Sequence, residues 1–273
     1  VVLVVAAYQI SAGTIKKYSQ NLLQSSVENQ ASQIEAWLNE NLASFQMAKT
    51  IIEDLKPSDE ELKTILDGYY GYNSNYPEGL YVADSTGQLI TASESTKKES
   101  DVTNSTWYKE GLTRVNMAVG SAYQNADGVN VISASGILND GSDKVRVISA
   151  DMTLDRIAII VNSFIEMNDA EAFLVDKTSG VILANRDSSL ISQTLGAEGQ
   201  SHFYQLTAEK AAEKDYNFAT LDGNMTVFQE VDGTNWLLIS YIPTSIVLSD
   251  LTQLRNIMIV ISVICIALLC VLI

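Results

Sequence analysis

The chain is short of the residue types on which most catalysis depends. Its 273 residues include one histidine, two cysteines and three prolines. One imidazole and two thiols supply too few ligands for a closed zinc site, and too few nucleophile–base pairs for most hydrolase chemistry. The acidic clusters Glu53-Asp54 and Asp59-Glu60-Glu61 lack the spacing of an EF-hand loop and read as solvated helix faces. Neither metal nor organic cofactor is expected. Basic residues are scarce too: 17 Lys and Arg stand against 33 Asp and Glu, for a net charge of −16. That excludes nucleic acid as a partner, because displacing counterions from phosphates needs clustered cations.

Charge is missing altogether from the two ends. Residues 1–13 and 256–273 carry none, so every Lys, Arg, Asp and Glu lies between Thr14 and Arg255. Ile257–Ile273 is apolar apart from Ser262 and contains both cysteines, Cys265 and Cys270. A membrane-spanning helix needs about 20 such residues. The run therefore reads as the start of a span over 251–273, and residues 1–13 read as the end of an earlier one. The acidic, cysteine-free body between them, residues 14–255, is expected outside the cytoplasm of a cell membrane.

Residues 14–56 contain no glycine and proline does not occur until Pro57. Ile34, Leu38, Leu42, Phe45, Ala48, Ile52 and Leu55 recur by threes and fours, so a long stalk helix is predicted. Pro57 ends it, and Ser58 with Glu61 three residues on gives a capping box that starts another. From Tyr69 the pattern shortens to strands and turns. GLYVADSTGQLITAS at 79–93 reads as strand, Asp-x-x-Gly turn, strand. AFLVDKTSGVILANRD at 172–187 repeats it. Each hairpin is followed by a helical stretch and two alternating strands, VNVISASGI and KVRVISADM in the first copy, NMTVFQEV and WLLISYIP in the second. The prediction is an α+β chain with two tandem modules of antiparallel sheet, residues 57–153 and 154–250. A helix around Leu154–Asn168 joins them.

The helix SQIEAWLNENLASFQMA, the GLYVAD hairpin, STWYKEGL, SADMTLDRI and NWLLISYIP together resemble the double Cache (dCache) sensor domains of bacterial transmembrane receptors, most nearly those of methyl-accepting chemotaxis proteins. The resemblance implies two PAS-like Cache modules flanked by transmembrane helix ends. It implies a small molecule held in the membrane-distal module, a homodimer, and a cytoplasmic signalling domain on the same polypeptide. A histidine kinase or diguanylate cyclase output shares this ectodomain. No catalysis is expected; Asp151 paired with Asp127 or Glu110 is the one acid pair available, and nothing in the spacing supports it.

Amino-acid-binding members line their pocket with an Arg-x-Trp-Tyr motif, a later Tyr, and an Asp after the last strand of the first module. Trp107, Tyr108, Tyr123 and Asp151 match, whereas the Arg position is Ser105. A serine has neither the charge nor the planar fork that clamps a carboxylate. What survives is the end that recognises ammonium, a carboxylate with aromatic faces. The ligand expected is a small amine or a nitrogen-rich molecule such as a nucleobase. An amino acid remains the alternative if Arg114 or Arg146 supplies the clamp from elsewhere. Tyr81 and Ser133 or Ser135 lie on strands that could line the same pocket, but alternation leaves their phase open. Residue chemistry alone also allows a Trp-Tyr pair to be core and Asp151 to be a helix cap.

Overall fold

One helix, α1 (Val2–Leu55), accounts for the proline-free N-terminal stretch and runs through Gly13 without a break. At 1.5 Å per residue it extends about 80 Å. It stops where Lys56 turns to a positive φ of 49° ahead of Pro57. Ser58 then caps α2 (Asp59–Asp67) as its sequence predicts: its hydroxyl accepts from the Glu61 N–H, and the Glu61 carboxylate accepts from the Ser58 N–H at 2.9 Å. The structure, a computed structural model, describes residues 2–125, 128–163, 167 and 169–272.

Two five-stranded antiparallel sheets follow. The first comprises β1 (Leu80–Asp84), β2 (Leu89–Ile90), β3 (Ala118–Gln124), β4 (Asn130–Leu138) and β5 (Arg146–Thr153), with a short helix α3 (Thr106–Gly111) between β2 and β3. After α4 (Asp155–Val161), the second comprises β6 (Glu171–Asp176), β7 (Ile182–Asn185), β8 (Ala219–Leu221), β9 (Asn224–Val231) and β10 (Trp236–Pro243), with α5 (His202–Ala212) in the same place. Strand order is 2-1-5-4-3 in the first sheet and 7-6-10-9-8 in the second, so the two modules have one topology. α6 (Thr244–Val247) and α7 (Ser249–Leu272) close the chain. The connecting helix α4 is shorter than the stretch expected to be helical; residues 164–166 and 168 of that stretch lie outside the described residues.

Each sheet is buried on both faces. On β5, Ile148, Ala150 and Met152 join the main core with Leu38, Phe45 and Ile52 of α1, while Val147 on the opposite face packs with Trp107 and Tyr108 of α3. Burying side chains of this size is worth about 1.5–3 kcal/mol each. Polar side chains of α1 then fix its register along both modules. Gln30 donates to the carbonyls of Ile160, Val161 and Ser163 at the end of α4. Glu35 accepts from the Asp232 N–H, Gln46 from the Met117 N–H and Glu53 from the Asn139 N–H. Beyond the sheets α1 and α7 lie side by side, with the Tyr8 and Thr252 hydroxyls 3.3 Å apart and Arg255 4.7 Å above the Tyr8 ring. Among the described residues no helix is long and apolar enough to cross a membrane.

Candidate ligand-binding site

Asp151 is a strand residue. It sits inside β5, opposite Ser133 of β4, and makes no helix cap; the residue before α4 is Leu154, which has no side-chain capping bond. Because Val147, Ser149 and Asp151 alternate onto the face that carries α3, the carboxylate points into that layer. There its Oδ1 accepts from the Tyr81 hydroxyl at 2.6 Å and from the Ser133 hydroxyl at 2.5 Å. The Tyr123 hydroxyl lies 2.9 Å from the same oxygen and 2.8 Å from Ser133 Oγ, so its single proton is shared between two acceptors. Burial first, and then the Asp151 charge, push both phenols well above their usual range, which keeps them protonated as donors.

The other oxygen, Oδ2, is taken by the chain's own Lys97, whose ammonium approaches to 2.6 Å. The same ammonium stands 4.2 Å over the centre of the Tyr81 ring. Both partners are largely buried, with side-chain exposures of 10% and 8%.

A cavity of about 410 Å³ opens beside this cluster. Its wall includes Asp151 and Tyr123 from the sheet, Ser105 from the start of α3, and Lys97, Lys98 and Glu99 from the segment after β2. Glu78 adds a third carboxylate and Asn104 an amide. The Ser105 hydroxyl is spent on the Val102 carbonyl at 2.6 Å. Neither arginine considered from the sequence reaches the cavity. Arg146, at the other end of β5, is bound by Asp140 at 2.7 Å and by Asp59. Arg114 is bonded to the Ala118 carbonyl and to Glu110, against a separate cavity between the modules. The cations that do reach it, Lys97 and Lys98, lie in SESTKKES, a stretch whose composition reads as an exposed turn. Only their distance in space from Asp151 marks them.

The structure thus brings Tyr81, Tyr123, Ser133 and Asp151 together; Tyr123, Asp151 and Ser105 line the cavity, while Tyr81 and Ser133 are buried and reach it only through their bonds to Asp151. Trp107 and Tyr108 occupy a different position, as core. Trp107 is fully buried, edge-on to the Tyr81 ring at 4.9 Å, and its indole N–H donates to Glu99 at 2.9 Å. Tyr108 packs with Ala83, Val102 and Val147. The second module shows why. Ser201-His202-Phe203-Tyr204 opens α5 just as Ser105-Thr106-Trp107-Tyr108 opens α3, with Phe203 edge-on to Phe173 as Trp107 is to Tyr81. The aromatic pair is a feature of the duplicated architecture. Glu110 sits on the inter-module cavity with Ser121, away from Asp151, and Asp127 lies outside the described residues.

Register also aligns the polar cluster with its counterpart. Tyr81 pairs with Ser149 two residues before Asp151, and Phe173 pairs with Ile239 two residues before Tyr241. Phe173 and Tyr241 therefore stand where Tyr81 and Asp151 do, and Thr226 stands where Ser133 does. There the space is filled by Phe173, Phe203, Tyr204 and Tyr241, with the Phe173 and Phe203 rings each within 6.5 Å of the other three. The second module has built a core at the position where the first has kept a polar cavity.

The sequence profile of the family described as Cache domain matches residues 7–251. No curated protein matches the sequence. Among solved structures, the ligand-binding domain of Mlp24 with asparagine superposes with a TM-score of 0.70 at 17% identity, covering 88% of this chain and 98% of that one. The ligand-binding domain of the Pseudomonas fluorescens chemoreceptor CtaA, in complex with L-isoleucine, gives 0.68 at 20% identity over 88% and 98%. That of the Pseudomonas aeruginosa PAO1 amino-acid chemoreceptor PctC, in complex with GABA, gives 0.63 at 19% identity over 82% and 99%.

Proposed function

The chain belongs to the Cache domain family, in its double form, and on that premise we propose that it is the extracytoplasmic sensor of a transmembrane chemoreceptor. Cache domains of this kind bind small ligands and are not enzymes. In the proposed receptor the first module is membrane-distal and holds the ligand, while α1 and α7 carry the signal across the membrane to a cytoplasmic domain of the same polypeptide in a homodimer. The charge-free ends support this topology, as do the apolar side chains that α7 leaves exposed, among them Ile257, Val260, Ile261 and Ile264. Binding would act by favouring one of two arrangements of these helices, by as much as the ligand's affinity for the two differs.

The ligand proposed is a small molecule with a cationic amine. One observation supports it: Asp151, the only buried carboxylate on the cavity among the described residues, is already bonded to an ammonium that stands over an aromatic face, which is the pairing a cationic amine would make. The absence of a guanidinium fork at Ser105 argues against a carboxylate-led mode. A second reading, a zwitterion such as an amino acid, is favoured by Lys98, which lines the cavity, is exposed, and forms no ion pair among the described residues.

Three molecules on one four-carbon skeleton separate these readings: n-butylamine, γ-aminobutyrate and butyrate, titrated by calorimetry into the intact chain and into Asp151→Asn. The amine reading expects the first two to bind, butyrate to fail, and Asp151→Asn to abolish both. Binding of γ-aminobutyrate alone selects the zwitterion. Binding of butyrate with undiminished affinity in Asp151→Asn would overturn both.

A further inference from the structure

Lys97 reaches Asp151 from a segment with little to hold it. Between β2 and α3 the backbone from Thr96 to Ser100 forms no backbone–backbone hydrogen bond among the described residues. Side chains secure it instead: Ser93 bonds to Asp67, Ser95 to Glu78 at 2.5 Å, and Glu99 to the Trp107 indole. At its centre, the Lys97 ammonium fills the position on Asp151 that an amine ligand would occupy, complete with the cation–π contact to Tyr81.

We propose that Lys97 is a tethered competitor, an occupant of the ammonium subsite that a ligand must displace. The inference rests on the assignment of Asp151 as the ammonium-binding end, and it adds a determinant of affinity that acts through the same carboxylate. On Asp151, Oδ1 is saturated by hydroxyl donors, so Oδ2 is the oxygen left to give an incoming ammonium a full charge-assisted bond, and Lys97 holds it. Displacement breaks no sheet ladder. It requires rotation of a flexible four-carbon stem in a cavity whose walls offer the released ammonium two further carboxylates, Glu78 and Glu99. A tethered group acts at a local concentration of about millimolar or more, and the apparent affinity of a free amine falls by the fraction of molecules in which the subsite stands open. Simple amines then bind weakly, and ligands with further contacts in the cavity bind best. The lysine sets a threshold for response.

The test is chemical complementation in the intact chain. Lys97→Ala removes stem and charge, and n-butylamine is the side chain that was removed. We expect Lys97→Ala to bind n-butylamine at least tenfold more tightly than the unaltered chain and to gain melting temperature from it. Butanol should have no effect, and the double variant Lys97→Ala/Asp151→Asn should not bind the amine. Lys97→Met keeps the stem and guards against collapse of the emptied space; it too should bind more tightly than the unaltered chain. If both single variants bind n-butylamine no more tightly than the unaltered chain, or lose binding, Lys97 does not compete and the proposal falls. An unaltered chain that ignores n-butylamine beside a Lys97→Ala variant that takes it up supports the competitor, while showing that the physiological ligand is not a simple amine.

Discussion

The hydroxyl of Tyr81 donates to Oδ1 of Asp151 at 2.6 Å, and its ring lies 4.2 Å beneath the ammonium bonded to the other oxygen of the same carboxylate. One tyrosine thus serves both halves of an ion pair, binding the anion through its edge and the cation through its face. The relationship spans 70 residues of sequence and depends on β1 and β5 being neighbours, which makes the first module's sheet order the determinant of its chemistry.

Tyr81→Phe removes the donor and keeps the ring. A hydrogen bond to a charged group is worth about 1.5–3 kcal/mol, and its loss should lower the urea midpoint accordingly. Tyr108→Phe is the control. That hydroxyl has no hydrogen-bond partner among the described residues, so its removal should cost less than about 1 kcal/mol. Equal losses at both positions would show that the Asp151 bond contributes nothing particular.

Ser105→Arg places a guanidinium at the position that the resemblance assigns to the carboxylate-binding arginine. Ser105 lies on the cavity wall and contributes only a bond to the Val102 carbonyl, so the cost in stability should be about 1 kcal/mol. The gain should fall on ligands with a carboxylate. Calorimetry should show γ-aminobutyrate strengthened at least tenfold relative to n-butylamine. An unchanged ratio would mean that the Ser105 side does not face the ligand's anionic end.

Much of this architecture is written in local patterns. The Ser58–Glu61 capping box, the Asp-x-x-Gly hairpin from Asp84 to Gly87 and its copy after Asp176 are short-range signals, and each forms as its residue types require. The duplication is legible because both copies repeat the order of those signals. The site is less so. Both faces of the sheet are buried, so the alternation in VRVISADM cannot say whether Asp151 faces α1 or α3. Lys97 was invisible for the opposite reason: SESTKKES has the composition of a solvated turn, and a long-range ion pair leaves no periodic trace. The Trp107-Tyr108 pair reads as a pocket only through the motif of the resemblance; its equivalence to Phe203-Tyr204, which differs by one residue type, is recognised only when α3 and α5 are seen on equivalent sheets.

Gln30 tests the link between the long helix and the joint between modules. It is 1% exposed and donates to three carbonyls at the end of α4, two at 3.2 Å and one at 2.9 Å. At the same helix terminus the Ser163 hydroxyl also donates to the Ile160 carbonyl and the Asn162 amide to that of Ala158, each at 2.8 Å, so Gln30 supplies the long-range part of the cap. Gln30→Ala should cost about 1–3 kcal/mol and speed hydrogen exchange at the amides of Asn162 and Ser163, which bond to Ala158 and Ile160. Ligand affinity in the first module should stay unchanged. Exchange that stays slow would show α4 to be held by packing alone.

Asp84 gives the fold its own acid sensitivity. Burial alone would raise its pKa, but the bond from the Lys144 ammonium at 2.6 Å, with those from the Thr86 hydroxyl and the Thr86 and Gln88 N–H groups, outweighs burial and holds the carboxyl down at about 2, against a usual 3.8. The unfolded chain therefore takes up this proton first as pH falls. Stability from Asp84 is complete above about pH 4 and drains away as pH drops through the interval from 3.8 towards 2. Asp84→Asn cannot titrate, so its urea midpoint should fall less steeply between pH 4 and pH 2.5 than that of the unaltered chain, while lying below it at pH 6. The turn beyond β1 is where the loss should be seen first, because Asp84 accepts from the N–H groups of Thr86 and Gln88 and from Lys144 at once, with only the longer Lys144 bonds to the Thr86 and Gln88 side chains beside it. Parallel pH profiles for the two chains would place the acid-sensitive pairing elsewhere.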